Sequence, residues 1–123
     1  MIGYVTIGTN NFDAALAFYD ALFATIGINR LWKHGQMAAW GPSREAPAFC
    51  ITSPFDGAAA TKGNGSMIAL KMADKAQVEA MHAKCLALGG SCEGAPGPRG
   101  EHGFYGGYFR DPEGNKLNAY IPG

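Results

Sequence analysis

Charge and cysteine are both scarce in this sequence of 123 residues. Charged residues make up 16% of the chain, and ten Lys and Arg balance ten Asp and Glu, so that the formal net charge is zero. Binding to nucleic acid or to an anionic membrane surface relies on an excess of basic residues, and we therefore expect neither partner. The three cysteines include no CxxC pair, and this odd count predicts reduced, mostly buried thiols rather than a disulfide framework.

Long apolar runs and a basic leader are also missing. The N-terminal segment MIGYVTIGTNN has no basic stretch ahead of an apolar core, which a secretory signal peptide requires. The longest apolar stretch, AALAFYDALFATIGI, is interrupted by Asp20 and is too short and too amphipathic to span a bilayer. With reduced cysteines, these features predict a cytoplasmic protein.

The sequence does contain the same pattern of predicted strands and helix twice. Residues 2–8 alternate as a strand and are followed by a helical stripe of apolar residues that ends at Gly27. Residues 66–72 predict a second such strand, again followed by a helical stripe, which ends at Gly90. The offset is the same at both landmarks, 67 − 4 = 63 in the strands and 90 − 27 = 63 at the glycines. A constant offset indicates an internal duplication of a half-domain.

Three short strands are predicted after each helix. They span 29–34, 36–41 and 47–53 in the first half, and a segment near 91–94, 104–110 and 116–121 in the second. The fold class is therefore α+β, with two βαβββ modules in tandem. Module one covers 1–55, a joint rich in Gly and Ala covers 56–65, and module two covers 66–123. Together they form a single domain.

Neither half is long enough to bury a core alone, so we expect two sheets, each backed by one helix, that curl around a shared cleft. Strand alternation assigns Tyr4 and Thr6 of the first strand, Met67, and Asn118 and Tyr120 of the last strand to the cleft side. Aromatic side chains of neighbouring strands supply further apolar surface: Trp32, Trp40, Phe49, Tyr105 and Tyr108. About half of them should be ordinary core, and the others line the predicted ligand-binding cleft, to which Trp40, Phe49, Tyr105 and Tyr108 are assigned.

The segment EGAPGPRGEHG, residues 93–103, is predicted to be a long loop able to close over the cleft. On it, Arg99 could meet an anionic group of a ligand, and His102 could act as a catalytic acid or base. The alternative is that both are solvated loop residues without a role in binding.

The N-terminal MIGYVTIGTNNFDAALAFYDAL and the C-terminal YFRDPEGNKLNAY, on paired βαβββ modules, resemble the vicinal oxygen chelate superfamily. That group contains glyoxalase I, bleomycin-resistance proteins and extradiol dioxygenases, and the resemblance covers essentially the whole chain. Its most specific marks are FYD in the first helix and the RDPEGN turn before the last strand, and neither is catalytic. The resemblance also implies a homodimer.

Enzymes of this superfamily typically bind one divalent metal through His, often Glu, His and Glu on four strands of the cleft. The matching positions here hold Tyr4, Cys50, Met67 and Asn118. A phenol with a pKa of about 10, a thioether and a neutral amide are poor ligands for a hard cation. The resemblance therefore implies a cleft that includes Cys50 but holds no metal, and we expect no other cofactor.

The leading prediction is a metal-free protein that binds a small apolar or aromatic compound in the cleft between the modules. Any catalysis would rely on Tyr4 or His102, with Asn118 as a further candidate. One alternative is a metal-dependent lyase or isomerase similar to glyoxalase I, or a dioxygenase. Another is an interaction module whose cleft is filled by side chains. For Tyr4 and Asn118 themselves, the alternative to a binding role is a purely structural polar pair.

Overall fold

The computed structural model describes residues 1–123, which divide into two compact units, Met1–Thr61 and Lys62–Gly123. The boundary falls inside the segment 56–65 that was predicted as the joint. Each unit holds one four-stranded sheet and one helix packed against it. The predicted α+β class and the tandem βαβββ modules are therefore confirmed.

The N-terminal unit contains five elements in the order strand, helix and three strands. They are β1 (Tyr4–Gly8), α1 (Phe12–Ala24), β2 (Arg30–His34), β3 (Met37–Trp40) and β4 (Ala48–Thr52). The strand order in the sheet is β1-β4-β3-β2. β1 runs parallel to β4, and the other neighbours are antiparallel.

The C-terminal unit repeats this arrangement. Its elements are β5 (Ile68–Lys71), α2 (Lys75–Ala87), β6 (Ser91–Pro98), β7 (Tyr105–Arg110) and β8 (Lys116–Ile121). The strand order is β5-β8-β7-β6, with β5 parallel to β8. The first strand of each unit thus lies beside the last strand of the same unit.

Local capping explains where the two helices begin. The Asn11 side chain accepts a hydrogen bond from the backbone N–H of Ala14 at 3.2 Å, which satisfies a donor at the start of α1. Asp74 accepts from the N–H of Gln77 at 2.8 Å, and the Gln77 side chain accepts from Ala73, so that α2 carries a reciprocal cap. Each helix has 13 residues, and neither is long and apolar enough to cross a membrane.

Aromatic rings dominate the core of the N-terminal unit. Tyr19 and Phe23 of α1 lie against Phe49 of β4, with ring centroids 4.9 and 5.2 Å away, respectively. Trp40 of β3 stacks on Phe23 at 5.9 Å, and its indole N–H donates to Asp20 at 2.9 Å. Such ring pairs add to the stability that apolar burial already provides.

The C-terminal unit is built around smaller side chains and one glycine. Met81 and Cys85 of α2 are fully buried together with Phe109 of β7. A Cβ placed on Gly107 would lie 3.3 Å from the ring of His82, so the missing side chain allows α2 to approach the sheet closely. His82 is buried in this contact and lies edge-on to Phe109, with centroids 6.0 Å apart.

The prediction of a loop over residues 93–103 is wrong for most of its length. β6 continues to Pro98 and pairs with β7 through an irregular register, and the connection between the two strands begins only at Arg99. β6 is an edge strand, where proline is tolerated because one side of the strand needs no ladder hydrogen bonds. The Pro and Gly content therefore marked an edge strand rather than a lid.

Candidate functional site

The face of the N-terminal sheet opposite α1 is open. Tyr4 and Thr6 of β1 are exposed there, and Tyr4 leaves 63% of its surface uncovered. Their register partners on β4 are Ala48 and Cys50, which share this face because Phe49 between them points to the helix. The strand alternation thus puts Tyr4 on the open face, on the edge strand of this sheet.

A groove of about 410 Å³ lies on this face. Its walls come from the loop before β1, from all four strands and from the segment between β3 and β4: Gly3, Tyr4, Leu31, Trp32, Met37, Arg44, Ala46, Ala48 and Cys50. Most of these side chains are apolar. Arg44 is the charged member, and its guanidinium donates to the Leu31 carbonyl at 3.3 Å. The groove can therefore hold an apolar ligand and offers one cation to an acidic group.

Cys50 lies at the floor of this groove and is 1% exposed. Burial raises the pKa of its thiol, because the low-dielectric surroundings disfavour the thiolate. Nucleophilic attack and metal ligation both require the thiolate. Cys50 thus contributes apolar surface rather than reactivity.

Two aromatic residues assigned to the cleft lie on the opposite side of this sheet. Trp40 and Phe49 are register partners on β3 and β4, and both pack against α1. They are part of the core, and we remove them from the candidate binding face. The reason is strand alternation, since Phe49 and its neighbour Cys50 cannot point to the same side of β4.

The open face of the C-terminal sheet carries Asn118 of β8, beside its register partner Tyr108. Asn118 is only 2% exposed, and its amide nitrogen donates to the carbonyl of Gly107 at 3.2 Å. A Cβ on Gly106 would lie 3.1 Å from that nitrogen, so glycine at this position makes room for the buried amide. Tyr120 on the same strand stacks on Phe104 with centroids 5.4 Å apart.

Tyr105 does not belong to this face. Its hydroxyl donates to the Glu79 carboxylate of α2 at 2.7 Å, and the Lys75 ammonium lies 5.2 Å from its ring. The hydrogen bond to Glu79 raises the pKa of Tyr105. Tyr105 and Tyr108 are three residues apart, so a regular strand directs them to opposite sides.

The residues on the segment after Pro98 also differ from expectation in their contacts. The Arg99 guanidinium donates to the carbonyls of Ala95 at 2.6 Å and Gly97 at 3.0 Å, and it lies 5.5 Å from the Tyr108 ring. Arg99 therefore stabilises its own hairpin. His102 is exposed on the connection between β6 and β7, and its catalytic role stays a prediction.

The side chains at the four positions implied for a metal do not fit a hard divalent cation. Tyr4 is an exposed phenol, Met67 is a 43% exposed thioether and Cys50 is a thiol held protonated by burial. Asn118 donates a hydrogen bond from its amide nitrogen to the Gly107 carbonyl, and its side chain carries no charge. Within neither unit do three His, Cys, Asp or Glu side chains lie grouped as a ligand set.

Trp32 was predicted only as one of the aromatic residues that supply either core or cleft wall, and Met37 and Arg44 were not predicted for the cleft. Trp32 of β2 is in register with Ala39 of β3, which is in register with Cys50, so a correct pairing of the strands would have found Trp32. Met37 lies two residues from Ala39 and shares its face. Arg44 comes from a segment without regular alternation, and no sequence signal placed it.

Comparison with known proteins agrees with this architecture. The family model of the Glyoxalase/Bleomycin resistance protein/Dioxygenase superfamily matches residues 1–119. The chain belongs to this superfamily. A search of curated proteins gave no match to this member of the superfamily.

Solved structures are similar over at least 97% of this chain. A glyoxalase/bleomycin resistance protein from Albidiferax ferrireducens T118 is 37% identical with a TM-score of 0.90, and the match covers 100% of this chain and 99% of the other. A lactoylglutathione lyase from Agrobacterium tumefaciens is 24% identical with a TM-score of 0.70, covering 98% and 92%. A glyoxalase/bleomycin resistance protein/dioxygenase family enzyme from Burkholderia phytofirmans PsJN is 19% identical with a TM-score of 0.75, covering 97% and 96%. The last two show likeness of fold alone.

Proposed function

We propose that the protein binds a small apolar or aromatic compound in the groove beside Tyr4, without a divalent metal held by its own side chains. One observation carries the proposal: an exposed phenol borders an apolar groove of about 410 Å³ at the position where the resemblance implies a metal-binding histidine. A groove of this size falls within the range of ligand pockets, roughly 300–1,000 Å³. The prediction that the ligand also reaches residues of the second module stays a prediction.

The chemistry of the groove defines the ligand class. Tyr4 and Trp32 bring aromatic rings to the groove, although one face of Trp32 is stacked on His34 at 5.2 Å. A ring contact with a planar compound contributes about 0.5–1.5 kcal/mol beyond area burial. Met37 adds a flexible apolar surface that adapts to shape. Arg44 favours a compound that carries a carboxylate or another acidic group at one end.

A ligand-dependent melting screen tests the proposal with aromatic, glutathione-like and antibiotic compounds. A compound at 100 times its Kd stabilises the folded state by about 2.7 kcal/mol, which raises Tm by several degrees. Tyr4→Ala should abolish the shift. Phe55→Ala removes a still more exposed aromatic ring of the same unit that does not line the groove, and it should leave the shift intact. A hit that survives Tyr4→Ala, or no hit at all, counts against the proposal.

Metal-dependent lyase chemistry is the competing possibility, and the similarity to a lactoylglutathione lyase structure makes it worth testing directly. Protein purified without chelators is analysed for metal and assayed with a hemithioacetal. We expect substoichiometric metal and no turnover. One equivalent of a divalent metal together with turnover would overturn the metal-free part of the proposal.

We also propose that the protein is a homodimer, as the resemblance implies. The support is a set of large apolar side chains exposed in the single chain: Ile2, Tyr4, Phe55 and Met67. Light scattering should give a mass of twice 12.9 kDa. A mass of 12.9 kDa at micromolar concentration would contradict the dimer.

A further inference from the structure

The C-terminal unit carries a pocket of its own, of about 310 Å³, that no pattern in the sequence predicted. It is formed by the segment Lys62-Gly63-Asn64-Gly65-Ser66 with Met67, and by two basic side chains of the sheet, Arg110 of β7 and Lys116 of β8. Arg110 and Lys116 are register partners. Their proximity is therefore fixed by the sheet and not by a loop.

This pocket concentrates positive charge in a chain whose formal net charge is zero. Three cations line it, and the carboxylate of Glu93 is paired with one of them, Arg110. The local formal charge is therefore 3 − 1 = +2. Neither Lys62 nor Lys116 forms an ion pair; the Lys116 ammonium lies 5.7 Å from the ring of Tyr108.

The basic side chains are held in place by local contacts. Arg110 donates from Nη1 to the carbonyl of Gly114 at 2.8 Å while its Nε pairs with Glu93. The stem of Lys62 lies on the same turn, since a Cβ on Gly114 would be 3.1 Å from Lys62 Cδ. Two of the three cations therefore lie against one turn, which reduces the entropy lost when they bind an anion.

The pKa of Glu93 is shifted by the same three positive charges. The hydrogen bond from Arg110 and the charge of Arg110 lower the pKa of Glu93, and the charges of Lys116 and Lys62 lower it further. Since all three cations stabilise one carboxylate, a second anion in the pocket would also be stabilised by them.

Backbone donors of the segment add to these charges. Gly63 and Gly65 have positive φ angles of 66° and 93°, and the N–H of Ser66 donates to the carbonyl of Gly63 at 3.1 Å. The N–H groups of Gly63, Asn64 and Gly65 have no acceptor in the protein. Free N–H groups in a turn with left-handed residues are a recurrent means of binding anionic oxygens.

We propose that this pocket binds the phosphate group of a phosphate monoester, with the organic part of the ligand lying on Met67. A phosphate monoester carries close to two negative charges at neutral pH, which matches the local charge of +2, and its three oxygens accept from both lysines and from the backbone. The exposed Met67 side chain at the rim suits an apolar or aromatic substituent. The site lies within the C-terminal unit and shares no lining residue with the groove beside Tyr4.

Calorimetric titration of the full chain with phenyl phosphate tests the proposal, with phenol as the uncharged comparison. We expect saturable binding of phenyl phosphate and none of phenol. Lys62→Gln and Lys116→Gln should each raise Kd about tenfold, because each removes one charge-assisted contact. Glu93→Gln should lower Kd, because it removes the carboxylate that competes for Arg110. This gain in affinity cannot arise from misfolding.

Lys84→Gln is the matched control, since Lys84 is an exposed lysine of α2 that does not line the pocket. It changes the net charge by the same amount and should leave Kd unchanged. The proposal is overturned if the wild-type protein shows no saturable binding. It is also overturned if Lys84→Gln weakens binding as much as Lys62→Gln does, or if Glu93→Gln fails to tighten it.

Discussion

The two units share one backbone plan but differ in the chemistry of both faces of their sheets. The N-terminal unit packs α1 on its sheet through rings, with Trp40 and Phe49 against Tyr19 and Phe23. In the C-terminal unit the helix approaches the sheet at a glycine, Gly107, and the core consists of smaller side chains.

The open faces differ as well. The groove of the N-terminal unit is largely apolar, whereas the pocket of the C-terminal unit is lined by three cations. Main-chain hydrogen bonding defines the sheet whatever the side chains are, and a core tolerates different residues if its volume is filled. A duplicated module can therefore keep its topology while its two copies acquire different ligands.

The largest expected difference between the units is how far the stability of each core depends on aromatic rings. Trp40→Ala removes a 1% exposed indole from the N-terminal core and leaves the Asp20 carboxylate without its indole donor. We expect the free energy of unfolding to fall by ~3–5 kcal/mol in urea titrations. Trp32→Ala, at a half-buried position on the open face, should cost far less. Equal losses for the two tryptophans would mean that the ring cluster is not the source of stability.

The next effect concerns close packing in the C-terminal unit. A Cβ on Gly90 would lie 2.5 Å from the carbonyl oxygen of Arg110 and would also overlap the Cys85 sulfur. Gly90→Ala should therefore lower the free energy of unfolding by ~1–3 kcal/mol, because a backbone atom has to move. Gly3→Ala adds the same methyl group where no atom lies within 4 Å, and urea titration should show no loss. A neutral Gly90→Ala would show that the helix end adjusts easily.

The smallest effect is a pH dependence of stability that comes from His82 in the core of the C-terminal unit. Burial lowers the pKa of His82 below its ordinary value of 6.5, although the Tyr108 backbone offsets part of the shift. As pH falls below about 6.5, the unfolded chain takes up a proton before the folded chain does. Stability is thus present above this pH and decreases below it, by at most ~1.4 kcal/mol per pH unit.

His82→Leu should remove this contribution. Urea titrations at about pH 8 and about pH 5.5 should show that acidification lowers the free energy of unfolding less for the variant than for the wild-type protein. Parallel losses in the two proteins would show that other groups cause the acid sensitivity.

Much of the fold could be predicted from the sequence because its signals are local. The periodicity of apolar residues and the terminating glycines placed both helices, and the 63-residue offset showed the duplication. Alternation also placed Tyr4 on the exposed side of β1. These features require no knowledge of which strands pair.

The assignment of aromatic residues to the cleft was wrong at positions where strand pairing and strand phase decide which face of the sheet a side chain occupies. Trp40, Phe49 and Tyr105 were assigned to the cleft on residue type, yet each side chain points to a helix. The Tyr105–Tyr108 and Phe49–Cys50 spacings already excluded a common face in a regular strand. The pocket beside Lys62 could not be predicted, because it depends on a turn that brings sequence-distant residues together.

The parallel pairing of first and last strand has a consequence for the order of folding. β1 meets β4 across 48 − 4 = 44 positions, and β5 meets β8 across 117 − 68 = 49, whereas the other strands are joined by short connections. Closing such long loops is entropically costly, so the three-strand meander should form early in each unit and the first strand should dock late. Hydrogen exchange should then be faster at the amides of β1 than at those of β4. The strand that carries Tyr4 would be the last part of its unit to become ordered. A bound ligand would slow the detachment of this strand from the sheet.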